Sequence, residues 1–291
     1  MYQTTIQSPV SCYGIGVHSG KTVQLTLKPA KANDGVVFVR TDISGSENHI
    51  FANYANVTET SLCTKISQNK NFSVSTIEHL MAAIWGCDID NVIIELDGEE
   101  VPIMDGSSQP FVFMIDCAQV KQLNAKRKYL KLHNEVIVSS QSAGENIATP
   151  ADQFKIHMDI DFESKAIGKQ SIIYDNKASF HEEIAGARTF GFVHELEYLQ
   201  NNGLAKGASL NNAIGIDKDL ILNHDGLRYK DEFVRHKLLD AIGDFSLGAQ
   251  NIIANFSCNK PGHALNNLLL RKIFDNPANY SWLSLDEIRS L

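Results

Sequence analysis

The sequence predicts an α+β protein built from two similar domains, and three observations carry that expectation. A chain of 291 residues with 43% hydrophobic content is long enough to bury two cores. Strand-like alternation and helical spacing are mixed within each half of the chain, not segregated between the halves. Between them, residues 121–131 (KQLNAKRKYLK) carry five basic side chains and no strong apolar face, so this stretch reads as a connection. The expected domains are therefore 1–127 and 128–291.

In the first half, residues 22–27 (TVQLTL) and 35–40 (GVVFVR) read as strands, followed by a turn-rich stretch as far as Thr60. From Ser75 the period changes. Ile77, Leu80, Met81 and Ile84 recur at helical spacing up to Gly86, a strand follows at residues 91–96, and a second helix begins near Ser108, before Pro110. In the second half, residues 154–162 (FKIHMDIDF) and 171–174 read as strands, 231–243 as a helix and 251–256 as a strand. The run from His79 through Ala83-Ile84 to residues 91–94 echoes the run from His236 through Ala241-Ile242 to residues 251–253, which suggests a duplicated unit.

Composition excludes several classes. With 26 basic against 34 acidic residues and a net charge of −8, the chain lacks the electrostatic footprint of a nucleic-acid binder. The five cysteines are scattered without a C-x-x-C pair, which fits a reducing compartment. The amino terminus has no basic and apolar leader pattern, and no run approaches the ~20 apolar residues that span a bilayer. A cytoplasmic monomer acting on a small molecule is expected.

The chemistry concentrates in residues 235–244 (RHKLLDAIGD). At 100° per residue His236 and Asp240 lie one turn apart on one helical face, where both can grip one ion, although such a pair is often only a surface hydrogen bond. Glu78-His79 offers a third ligand with a carboxylate beside it as a general base for a bound water. The H-E-x-x-H pattern is not met, because the residues four beyond Glu78 and His79 are Ala82 and Ala83, so the second helix must complete the site. Ser75-Thr76-Ile77-Glu78 also reads as a capping box, in which Glu78 merely closes the helix start. Two imidazoles and one carboxylate leave a tetrahedral position open, the pattern of a catalytic zinc site that Fe2+ can also occupy. His263, behind Gly262, suits a general acid or an ordinary solvated loop histidine. Asp244, one turn beyond Asp240, is placed to orient it, and Lys237 to stabilise an oxyanion or phosphate.

Residues 14–22 (GIGVHSGKT) imitate a phosphate loop, but the position five before Gly20 is Ile15 and a strand follows where a helix is required. A hairpin turn with glycine at positive φ is the expectation.

These segments, together with TSLCT at 60–64, STIEHLMAA at 75–83, PIMDGSS at 102–108, ARTFGF at 187–192 and GHALNN at 262–267, closely resemble the UDP-3-O-acyl-N-acetylglucosamine deacetylases of Gram-negative bacteria, zinc amidases that commit the lipid A pathway. The resemblance implies two domains, each a β-sheet layered on a pair of helices, with the active site between them. It implies Zn2+ on His79, His236 and Asp240, Glu78 as base, His263 as acid and Asp244 as its orienter. It further implies Thr189 and Lys237 as oxyanion donors, and Cys63, Phe190 and Phe192 as contacts to a UDP-linked acylated amino sugar. Cys63 is alternatively a stray metal ligand. Residues 189–215 have the apolar content to shape a narrow passage. One departure is that residues 139–151 hold no lysine to meet the nucleotide phosphates, which leaves Lys155, Lys237 or Lys260 for that role. The segment after Phe274 matches nothing in the family pattern.

Overall fold

A computed structural model describes residues 1–44, 48–69, 72–140, 144–175 and 180–290. The architecture is mixed α+β and is organised around two five-stranded sheets of identical topology. The first runs Val10–Ile15, Thr22–Pro29, Val92–Leu96, Val36–Arg40 and His49–Phe51 across the sheet. The second runs Val136–Ser139, Glu145–Thr149, Asn255–Asn259, Lys155–Asp161 and Lys169–Tyr174. In each, the central strand is the last in chain order, antiparallel to one neighbour and parallel to the other. Strict alternation in Lys155–Asp161, where Ile156, Met158 and Ile160 are buried, puts one face on the core.

Each sheet contributes two helices, Glu78–Gly86 and Gln109–Ala118 from the first and Glu232–Ser246 and His263–Phe274 from the second. A three-stranded insert of residues 57–74 precedes the Glu78 helix. At the equivalent point of the second repeat, Phe190–Phe192, Ile214–Asp217 and Leu220–Ile221 form another small sheet with the helix Val193–Asn201. The helical half of the internal echo is therefore real, but its strand half was misdirected. The counterpart of Val92–Leu96 is Asn255–Asn259. Ile252–Ile253 belongs instead to a separate sheet with Lys128–Leu132 and Tyr280–Ser284.

The basic stretch expected as a connection is also strand, Val120–Lys126 paired with Tyr2–Ile6 and then Lys128–Leu132. Its period of two is hidden because both faces of the first strand are largely polar and exposed. The break falls at Arg127, whose buried guanidinium is held by Asp90 at 2.8 Å and Asp88 at 3.0 Å. The segment after Phe274 supplies the edge strand Tyr280–Ser284 and a short helix, Leu285–Ile288. Among the described residues no helix is long and apolar enough to cross a membrane.

The Glu78 helix packs on the Glu232 helix, and small residues set how closely. A Cβ on Gly243 would lie 2.1 Å from the Glu78 carbonyl oxygen, so the two backbones touch at the level of the candidate site. Ala82, Ala83 and Ala241 are fully buried in the same helix pair.

Candidate metal centre

This crossing brings His79 onto the second helix. The Nε2 atoms of His79 and His236 each lie 3.4 Å from Asp240 Oδ1, and the two rings meet edge to face at 4.9 Å. One donor atom from each of the three residues fits within a 4.8 Å spread, and all three residues are buried. His236 Nδ1 donates to the Ala187 carbonyl at 3.1 Å, which leaves Nε2 as the lone-pair atom. Burial holds His236 down to about 3 against the pull of Asp240, so the ring is neutral and its Nε2 could serve as a ligand. Burial alone would raise Asp240, but His236 and Lys237 override it and keep the carboxyl ionised well below the usual range. Asp240 Oδ1 and His79 Nδ1 are buried without a hydrogen-bond partner among the described residues. An acceptor oxygen left orphaned between two imidazoles is what a divalent cation would satisfy, so the donor set fits a metal.

Glu78 is the first residue of its helix and is buried. The capping-box alternative does not form. The helix start has no side-chain cap, Ser75 Oγ donates to the Glu99 carbonyl, and Glu78 Oε2 accepts the Thr64 N–H at 3.0 Å. Burial raises Glu78 above the ordinary carboxylate value, against His263 and His79. His263 sits at the head of a helix, not in a solvated loop, and is 9% exposed. Its Nδ1 donates to Asp244 Oδ2 at 2.8 Å. Burial disfavours the charged ring, yet the Asp244 carboxylate prevails and lifts it to about 9.

Several supports were not legible as functional residues. Thr64 Oγ1 donates to Asp244 Oδ1 at 2.6 Å, and Asn266 Nδ2 donates to Asp244 Oδ2 at 2.8 Å. Asn266 lies three residues after His263 on one helical face, a spacing that was open to view. Arg188 forks onto buried Glu232 at 2.8 and 3.2 Å, which fastens the strand Phe190–Phe192 and the Ala187 carbonyl to the head of the His236 helix. Ser108 Oγ donates to the His79 carbonyl at 2.7 Å.

Lys237 Nζ reaches Asp240 Oδ2 at 3.0 Å and lies 5.5 Å from the Phe190 ring centre. Against the cost of burial, Asp240 holds this ammonium above the ordinary lysine value. Glu78, His79 and Thr189 open into a cavity of about 370 Å3 that continues past Phe190, Phe192 and Leu199. Cys63 lines a neighbouring cavity of about 250 Å3 instead, and burial with the Glu78 charge pushes its thiol up to about 12. It is not in the three-ligand group. His18, at the tip of the hairpin expected from residues 14–22, borders both cavities. Gly20 in that turn has φ +69° as the hairpin reading requires. Of the lysines considered for phosphate, Lys260 pairs with Asp161 at 3.0 Å. Residues 141–143 of the lysine-free stretch lie outside the described residues.

Comparison with known proteins gives the arrangement its context. A family model for UDP-3-O-acyl N-acetylglycosamine deacetylase matches residues 3–275. The chain is 44% identical over 288 residues to the UDP-3-O-acyl-N-acetylglucosamine deacetylase of Pasteurella multocida, covering 98% of this chain and 94% of the relative. It is 44% identical over 287 residues to that of Hamiltonella defensa, covering 98% and 93%, and 43% identical over 290 residues to that of Cellvibrio japonicus, covering 98% and 94%. With nearly the whole chain matched by the family and by these relatives, the chain belongs to the UDP-3-O-acyl N-acetylglycosamine deacetylase family.

Proposed function

We propose that this hydrolase removes the N-acetyl group of UDP-3-O-acyl-N-acetylglucosamine, releasing acetate and the free amine, as the committed step of lipid A biosynthesis. The observation that carries the reading is the orphaned Asp240 Oδ1 facing two imidazoles beside a buried Glu78 and a charged His263. The named activity of the relatives supplies the substrate. His79, His236 and Asp240 hold the ion, which we take to be Zn2+, with Fe2+ able to use the same donors. When bound, the ion supplies Lewis acidity that lowers the pKa of a water and polarises the acetamide carbonyl.

The protein's own groups move the protons. Glu78, raised by burial, takes a proton from the water as its oxygen bonds to the carbonyl carbon. In this reading Lys237 and Thr189 donate to the oxyanion, and losing one such donor typically costs about 2.7–4 kcal/mol. As the carbon–nitrogen bond breaks, His263 gives its proton to the departing nitrogen, because an amide anion is too basic to leave alone. Asp244, fixed by Thr64 and Asn266, keeps His263 charged and oriented for that transfer. The apolar cavity beyond Phe190 and Phe192 takes the acyl chain, and Cys63 borders the sugar side. The reading includes domains meeting near Arg127 and a cytoplasmic monomer, in keeping with five free cysteines.

The test is acetate release from UDP-3-O-acyl-N-acetylglucosamine by protein of known metal content, before chelation, after it, and with Zn2+ restored. Release that is lost and regained with Zn2+ supports the proposal. No release from a protein holding one tightly bound ion would remove the substrate assignment. No bound ion at all would remove the metal centre.

A further inference from the structure

A second group of metal-ligand side chains lies away from the centre just described. Cys87 directly follows the Glu78–Gly86 helix, Asp116 lies near the end of Gln109–Ala118, and His181 is on the short helix Phe180–Glu183. The first two come from the first half of the chain and the third from the second. Their meeting has a steric cause. A Cβ on Gly86 would fall 2.1 Å from the Phe180 ring, so only a glycine there lets Phe180 seat against the helix end. Phe180 is buried and edge-on to Trp85 at 6.1 Å, which delivers the next residue, His181, to Cys87.

His181 Nε2 lies 3.5 Å from Cys87 Sγ, and its other ring nitrogen, Nδ1, lies 4.0 Å from Asp116 Oδ2. Only one nitrogen of the ring can bind a given ion, and one donor atom from each of the three residues fits inside a 4.8 Å spread. Tetrahedral zinc, with bonds of about 2.3 Å to sulfur and about 2.0–2.2 Å to nitrogen or oxygen, holds its ligands roughly 3.4–3.6 Å apart. Small side-chain rotations of the partly exposed His181 and Asp116 close that difference. We propose that Cys87, Asp116 and His181 form a second divalent-metal site, suited to Zn2+, that joins the end of the His79 helix to the second half of the chain. A thiolate, a carboxylate and a neutral imidazole balance the charge of Zn2+, and the thiolate disfavours Mg2+ and Ca2+. Without an ion, burial, with Asp116 and Asp88, pushes the Cys87 thiol up to about 12, and an ion reverses this by binding the thiolate.

Cobalt distinguishes the two sites, because the ligands of the first include no sulfur. Chelated full-length protein is titrated with Co2+ while absorbance is read in the near-ultraviolet thiolate-to-cobalt charge-transfer region and in the visible. The wild type is expected to bind two equivalents with a charge-transfer band that excess Zn2+ abolishes. Cys87→Ser is expected to bind one equivalent without the band, and His181→Gln and Asp116→Asn, at partly exposed positions, to weaken it. The band persists in His236→Ala, which damages only the first site, and in Cys117→Ser and Cys63→Ser. Absence of the band in the wild type, or its survival in Cys87→Ser, overturns the proposal whatever the enzymatic activity proves to be.

Discussion

Gly243→Ala sets two physical effects against each other. Helix propensity alone favours alanine by roughly 0.8–1 kcal/mol in a helix interior. Here, however, the added Cβ meets three backbone atoms of Glu78, its oxygen at 2.1 Å, its carbonyl carbon at 2.8 Å and its Cα at 3.1 Å. Ordinary contact begins at 3.4 Å, so the helices must separate by about 1.3 Å, and backbone cannot rotate out of the way as a side chain can. Overpacking of this kind costs about 1–3 kcal/mol, so the net sign should be destabilising. Glu78 and His79 ride on one helix and His236 and Asp240 on the other, so the same shift pulls apart the proposed ligand set. A displacement of about 1 Å at a reacting centre can cost on the order of 100-fold in rate. The expected outcome is a Tm lower by several degrees, weaker metal retention and kcat/KM reduced about 100-fold. Thermal unfolding, metal analysis after gel filtration and acetate release measure the three. A Gly243→Ala protein with a raised Tm and unchanged kcat/KM would refute the close-contact argument.

Other outcomes follow from the same geometry. Asp240→Ala should lose the ion of the His79, His236 and Asp240 centre through dialysis, whereas Glu78→Gln should keep it and lose roughly 10²–10⁴-fold in kcat. Release of the ion by Glu78→Gln would make Glu78 a ligand instead of a base. Thr64→Val strips a buried hydroxyl from Asp244 and should cost about 1–3 kcal/mol in denaturant unfolding, and an unchanged midpoint would discount that bond. Arg188→Ala removes the only side-chain cation paired with buried Glu232 among the described residues, leaving it two backbone N–H donors, and should cost about 3 kcal/mol, with disturbed metal binding because the Ala187 carbonyl loses its anchor. His263 is raised from 6.5 to about 9, so its contribution to stability is full below 6.5 and is lost as pH rises through about 9. In metal-free protein the stability gap between wild type and Asp244→Asn should therefore shrink across that interval, and a gap that widens would contradict the assigned charge state.

Much of the site was legible because its chemistry depends on short spacings. His236 and Asp240 share a face by the pitch of a helix, and the turn at residues 14–22 announced itself through glycine and the absence of a following helix. Where a local pattern had two solutions, contacts far along the chain chose between them. Ser75-Thr76-Ile77-Glu78 fits a capping box, but the Thr64 N–H, fourteen positions earlier, takes the Glu78 carboxylate instead. His263 behind a glycine fits a loop, but Asp244 and the helix it begins bury it. Residues 121–131 look like a linker because neither face of the first strand is apolar. Pairing with the amino-terminal strand and with residues 280–284 makes them sheet.

By itself the sequence determined the residue types of the candidate ligands, the helical faces they occupy, the family resemblance and the mixed α+β class, since periodicity and residue chemistry are properties of neighbouring positions. Only the tertiary structure decided that His79 crosses to Asp240 Oδ1, that Thr64 and Asn266 hold Asp244, and that the duplicated strand is Asn255–Asn259. Those facts turn on how closely two helices approach and which strands exchange hydrogen bonds. Both are settled by long-range packing, here by a glycine at 243 that lets one backbone rest against another.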